Sequence, residues 1–175
     1  MAAPLLDQRD LEFMLYELFD AEALTARERY ADHNRETFDA AIKTARTVAE
    51  KYFLPIRQKV DTHQPTFDGK KVQMIPEIKE ALDAVVAAGL ASPIADYELG
   101  GMQLPALVAT ASGAYLSAAA SVTMGYIGLT NANANLINAH GTPEQKQKWL
   151  EPMLTGRFAG TMAMSEPGAG SSLAD

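Results

Sequence analysis

Apolar residues recur every three or four positions along most of this chain, so helices are expected almost throughout. Phe38, Ala41, Ile42, Ala45, Val48, Ala49, Tyr52 and Phe53 fall on one helical face. Pro55 should kink or end that helix. The polar stretch 61–74 holds Pro65 and Gly69 and reads as a loop. A second helix opens at Pro76, where the missing N–H costs nothing, points Ile78, Leu82, Val85 and Val86 inward, and stops at Gly89. After a loop over 92–104 come two helices rich in Ala, Ser and Gly, over 105–120 and 122–139, whose small residues favour close helix approach. Thr142-Pro143-Glu144-Gln145 has the form of a capping box with proline at the first helical position, and Thr155-Gly156 is the matching stop.

Beyond Gly156 the pattern changes. Residues 158–165, FAGTMAMS, suit a short strand, and Pro167-Gly168-Ala169-Gly170 a loop. A lone strand cannot satisfy its backbone groups, so the sequence reads as a piece of a longer chain. At the other end Leu11, Met14, Leu15, Leu18 and Phe19 form the apolar side of one short amphipathic helix, and charges crowd residues 27–36. The fold expected is mainly α. It comprises an N-terminal extension over 1–35, a helical domain over 36–157, and the start of a β-domain over 158–175.

Composition narrows the chemistry. Of 175 residues 47% are hydrophobic and 21% charged, which is ordinary for a packed domain. The formal net charge of -7, without a dense Lys/Arg cluster, argues against nucleic acid as a partner. With no cysteine, disulfides, thiolate metal sites and cysteine nucleophiles within this chain are excluded. The start lacks the basic and apolar regions of a secretory signal, and no uninterrupted apolar run reaches membrane-spanning length. The reading is a soluble cytoplasmic protein. His33, His63 and His140 lack metal-ligand spacing and read as surface or capping residues, so no metal is expected. Glu77, Glu80 and Asp83 form a solvated helix face, and Tyr115 and Tyr126 read as core.

The segment SEPGAGSS over 165–172 offers the clearest candidate chemistry. Gly168 and Gly170 permit unusual dihedrals and close backbone approach to a ligand, and Ser165, Ser171 and Ser172 carry hydroxyls. The loop is not a P-loop, a Rossmann fingerprint or a nucleophile elbow. From composition alone it reads more readily as a surface turn than as a cofactor loop.

Taken with the residues before it, the segment carries a resemblance. AHGTPEQKQKWLEPMLTGRFAGTMAMSEPGAGSS, over 139–172, resembles the acyl-CoA dehydrogenase family, which pairs a G-T/S-x-E-Q-K helix with a following strand and a T-E-P-x-A-G-S-D loop. ARTVAEKYFLPIRQKVD over 45–61 and the YELGGMQLP loop before the small-residue helices are similar to further family elements. The likeness covers about 36–175, and residues 1–35 resemble the extra N-terminal segment of a larger bacterial subgroup.

The resemblance implies a helical N-terminal domain, a middle β-domain and a C-terminal four-helix domain, with FAD between the last two. It implies that Met162, Met164 and Ser165 contact the flavin ring and that Gly170 and Ser171 lie near the pyrophosphate, with Ser171 also touching the acyl-CoA. It implies electron transfer to an electron-transferring flavoprotein, assembly as a homodimer or homotetramer, and a catalytic glutamate beyond this chain, so no catalytic residue is assigned here. Ser172 stands where the family usually has Asp, and Gln103 where glycine is common. Alternatives are a non-catalytic helical fragment, or a same-fold flavoprotein of nitroalkane-oxidising or alkylation-response type. A downstream glutamate, rather than an aspartate, would mark the dehydrogenase.

Overall fold

A reciprocal cap opens the first long helix. Asn34 Oδ1 accepts the Thr37 N–H at 2.9 Å, and Thr37 Oγ1 accepts the Asn34 N–H at 2.9 Å. The computed structural model describes residues 5–172. Residues 1–4 of the expected extension and 173–175 of the expected β-domain start lie outside the described residues.

The fold is mainly α. Helix α1 (Gln8–Glu12) runs on through a wider π-helical stretch, Phe13–Leu18. Two 3-10 turns, Ala21–Ala26 and Glu28–Tyr30, lead to α2 (Arg35–Val48). Pro55 kinks this rod without ending it. With one N–H missing, the backbone passes through a π stretch, Ala49–Phe53, and a 3-10 turn, Leu54–Ile56, before resuming as α3 (Arg57–Thr62).

The expected loop over 61–74 contains a small antiparallel hairpin. Strands β1 (Thr66–Phe67) and β2 (Val72–Gln73) pair Thr66 with Gln73 and Phe67 with Val72. Asp68 Oδ1 accepts the Lys70 and Lys71 N–H groups at 2.8 and 2.7 Å, and Gly69 takes a φ of 92°. Helix α4 (Pro76–Ala87) starts at its proline as expected, with Ile78 and Val85 buried and Leu82 and Val86 only half-buried.

Residues 106–140 run as α5 (Ala106–His140), but Ala120 is non-helical, with φ −158° and ψ 87°. The expected break between two small-residue helices therefore falls at that residue. The bend is sharp. A straight helix would hold Gly113 and Met124 about 16 Å apart, yet Met124 Cε lies 3.9 Å from where a Cβ on Gly113 would stand. Contrary to expectation, α5 is long and apolar enough to cross a membrane by length and composition, with a mean hydropathy of 1.3 over its best window. In the fold it supplies the core. Tyr115, Leu116 and Ala119 pack with Ala45, Ala49 and Phe53 of the α2 rod and Ala81 and Val85 of α4.

The N-terminal extension lies against this body. Leu15 and Ala21 are buried against Ala111 of α5, and Leu11 packs alongside. Met14, Leu18 and Phe19, expected on the same apolar side, are exposed. The cause is the π-helical stretch, whose wider turn rotates later side chains off the face that α1 begins. Arg29 pairs with Asp96 at 2.6 Å and donates to the Ile94 carbonyl at 3.1 Å. His33 reaches the Met102 carbonyl at 3.1 Å, which makes that ring nitrogen, Nε2, the protonated one.

Candidate functional site

The candidate segment is delivered by the last helical rod, α6, which runs as Pro143–Gln145, a π stretch Lys146–Leu150 and Glu151–Leu154. Its expected start is present in full. Thr142 Oγ1 accepts the Gln145 N–H at 3.3 Å while Gln145 Oε1 accepts the Thr142 N–H at 2.8 Å. The expected stop is also present. Gly156 has a φ of 72°, and a Cβ there would collide with Val86. The Pro152 carbonyl then accepts the Arg157 and Phe158 N–H groups at 2.8 and 2.9 Å.

From there the chain runs along the second half of α5. Thr130 Oγ1 donates to the Tyr126 carbonyl at 2.6 Å and accepts the Gly160 N–H at 3.0 Å. Asn133 Nδ2 donates to the Thr161 carbonyl. A side chain at Gly160 would strike the Asn133 Cβ, so the glycine permits this approach. Thr130 and Asn133 fix where the segment begins, and sequence reading missed both. Their only signal was polarity, which Asn131 and Asn135 in the same stretch share.

The strand expected over 158–165 is not formed. The backbone there is without regular structure, because strand geometry needs a ladder partner and the described residues offer none. Met162 and Met164 are 48% and 55% exposed. Next comes a tight turn, with the Glu166 N–H on the Ala169 carbonyl at 2.9 Å and the reverse bond at 3.2 Å. Gly168 and Gly170 lie outside the left-handed region, and added Cβ atoms there would meet nothing within 4 Å. The conformational demand expected of these glycines is therefore absent. Among the described residues the hydroxyls of Ser165, Ser171 and Ser172 have no hydrogen-bond partner, and Glu166 has no ion pair. Met162, Met164, Ser165, Gly170 and Ser171 thus share one exposed segment, with donors and apolar groups facing outward.

Beside the segment's root lies an aromatic and cationic cluster that sequence reading also passed over. Trp149 and Phe158 have ring centroids 6.0 Å apart, Lys148 sits 4.8 Å over Trp149, and Arg157 5.4 Å over Phe158. A crevice of about 70 Å³ lies beneath, lined by Leu82, Val86, Tyr126, Thr130, Met153 and Phe158. Tyr126 is half-buried and donates to Met74 Sδ at 3.1 Å, whereas Tyr115 is fully buried and faces the N-terminal extension. His63 contacts the nearby Lys59 carbonyl and His33 the sequence-distant Met102 carbonyl, and no cluster of metal-ligating residues occurs among the described residues. Glu77 is paired with Lys59, which holds its carboxyl below the usual range, and Asp83 with Lys79 at 2.6 Å.

The profile of the family described as "Acyl-CoA dehydrogenase, N-terminal domain" matches residues 35–157. The chain belongs to the acyl-CoA dehydrogenase family. Among curated relatives it is similar to the 3-methylmercaptopropionyl-CoA dehydrogenase of Ruegeria pomeroyi, 28% identical over 94% of this chain and 28% of the relative. It is similar to the butyryl-CoA dehydrogenase of Syntrophomonas wolfei, 28% identical over 95% of this chain and 28% of that protein. The short-chain specific acyl-CoA dehydrogenase of Bos taurus is 33% identical over 78% of this chain and 31% of its own length. The chain therefore spans under a third of the length of these acyl-CoA dehydrogenase relatives. A chain in the solved structure reported as "Electron transferring flavoprotein of Acidaminococcus fermentans: Towards a mechanism of flavin-based electron bifurcation" superposes with a TM-score of 0.64 at 25% identity. The match covers 81% of this chain and 34% of that one.

Proposed function

We propose that this chain is the N-terminal helical part of a flavin-dependent enzyme that oxidises an acyl-CoA thioester to the enoyl-CoA. The observation that carries the reading is the family match over 35–157, continued by the exposed SEPGAGSS segment, whose outward methionines and free hydroxyls suit a covering ligand. The curated relatives, all named as dehydrogenases of CoA thioesters, support the reaction class. FAD, when bound, supplies the two-electron acceptor chemistry.

This chain's own residues act by holding and orienting. Met162 and Met164 offer soft, polarisable side chains to a flat ring. Ser165 offers a hydroxyl donor to the ring edge. Gly170 lets the backbone approach a pyrophosphate closely, and Ser171 donates to it and to the acyl-CoA. The α-proton is removed by a carboxylate outside this chain, and electrons leave to an electron-transferring flavoprotein. The assembled enzyme is a homodimer or homotetramer and works in the cytoplasm.

The test is flavin bleaching when the full-length protein is mixed anaerobically with a panel of acyl-CoAs. Bleaching with at least one is expected, and none with any of them would overturn the reading. The 175-residue chain alone should bind FAD weakly and show no dehydrogenase activity. Stoichiometric FAD in that purified chain would contradict the claim that the site is completed elsewhere.

A further inference from the structure

The seam between the N-terminal extension and the helical body encloses a cavity of about 340 Å³, distant in sequence from the segment discussed above. That volume lies within the range of small-ligand pockets, which run from roughly 300 to 1,000 Å³. Three elements build it. Leu11 and Leu15 of the extension, Ile42 of α2 and the ring of Tyr115 on α5 give it an apolar floor. Glu12, Asp39, Lys43 and Arg46 stand around it.

Most of these charges are already engaged. Asp39 accepts the Tyr16 hydroxyl at 2.6 Å and lies 3.8 Å from Arg35. Glu12 accepts from Gln8 at 2.7 Å. Arg46 donates to Glu50 at 2.8 Å and to Gln8 at 3.3 Å. Two groups are left over. The Lys43 ammonium has no ion-pair or hydrogen-bond partner among the described residues. The Tyr115 hydroxyl likewise has none, on a residue only 1% exposed. That hydroxyl opens on the cavity, where a ligand can accept its proton. Both uncommitted groups are donors, and one is cationic. An acceptor-only, negatively charged head with an apolar body satisfies both and fills the floor.

We propose that this seam is a binding site for a small aliphatic carboxylate, its head on Lys43 and Tyr115 and its tail against Leu11, Leu15 and Ile42. The site stands independently of the flavin reading. Because the ligand touches both extension and body, its binding tightens the docking of one on the other.

The test is titration of the isotope-labelled chain with sodium hexanoate, followed by amide chemical shifts, with hexylamine hydrochloride as the oppositely charged control. Hexanoate should give saturable shifts at Leu11, Leu15, Ile42 and Tyr115, and hexylamine none. Lys43→Ala, a surface change that does not threaten folding, should weaken hexanoate about five-fold, a loss of roughly 1 kcal/mol. Tyr115→Phe should weaken it similarly, and Arg9→Ala, whose cation lies outside the cavity, should leave it unchanged. The proposal fails if hexanoate gives no saturable shift through the millimolar range, or if hexylamine binds equally well. It also fails if shifts are confined to the separate groove lined by Ala109, Gly113 and Met124.

Discussion

The Gln103 side-chain amide donates to the Arg29 carbonyl at 2.6 Å, and the backbone of Gln103 is left-handed, with φ 52°. A glycine-like conformation is thus kept by a residue that is not glycine. Its cost is roughly 1–2 kcal/mol, offset by a bond that ties the extension to the loop before α5. Gln103→Ala should lose the bond and keep the strain, destabilising the chain by about 1–2 kcal/mol. Gln103→Gly loses the bond but releases the strain, and should be about 1 kcal/mol more stable than the alanine variant. Urea unfolding of the two variants decides it, and equal midpoints would remove the strain argument.

Two neighbouring glycines separate crowding from dihedral strain. Gly100 has a φ of 77° with open space around it, whereas an added Cβ at Gly101 would overlap the Ala95 carbonyl. Gly101→Ala must displace backbone and should cost at least about 3 kcal/mol. Gly100→Ala should cost about 1 kcal/mol. Thermal unfolding that ranked the pair in the opposite order would contradict the geometry.

Thr130 joins α5 to the start of the exposed segment through one hydroxyl. Thr130→Val preserves shape but removes the acceptor for the Gly160 N–H. Hydrogen exchange at Gly160 should accelerate by about ten-fold or more, with the amides of α2 and α4 unchanged. Unaltered protection at Gly160 would mean that Asn133 alone anchors the segment.

Acid should weaken the hold of α3 on α4. Glu77 titrates below the ordinary carboxylate range, chiefly because it accepts from Lys59. A carboxyl with a depressed folded-state value contributes stability that is fully present above its unfolded value and is lost as pH falls through the folded one. Stability should therefore decline as pH drops through and below the usual carboxylate range. Lys59→Met should shift the Glu77 titration, followed by carboxyl NMR, upward. A Glu77 titration that does not move would assign the shift to the helix start instead.

How much of this could be read beforehand depended on whether the cause was local. The Thr142–Gln145 cap and the Gly156 stop are decided within a few residues, and both were legible. The break at Ala120 was legible in place but not in angle, since the fold-back rests on Gly113 meeting Met124 across the bend. The hairpin over 66–73 was missed because two-residue strands carry no alternation to detect, although Asp68-Gly69 is a recognised turn signal. The strand over 158–165 failed for the opposite reason: its composition is strand-like, but pairing is a tertiary property. The cavity behind the extension and the grip of Thr130 and Asn133 on the segment were invisible, since each joins residues far apart in the chain.

The bend at Ala120 also bears on how the chain folds. It brings apolar surfaces only a few turns apart in sequence into contact, so the helical pair closes with little loss of loop entropy. The most apolar stretch of the protein can then bury itself early, before the extension or the hairpin has found its place. Substitutions at the Gly113–Met124 contact should slow folding, whereas those at Leu15 or Phe67 should mainly speed unfolding. The reverse pattern in refolding kinetics would place the nucleus elsewhere.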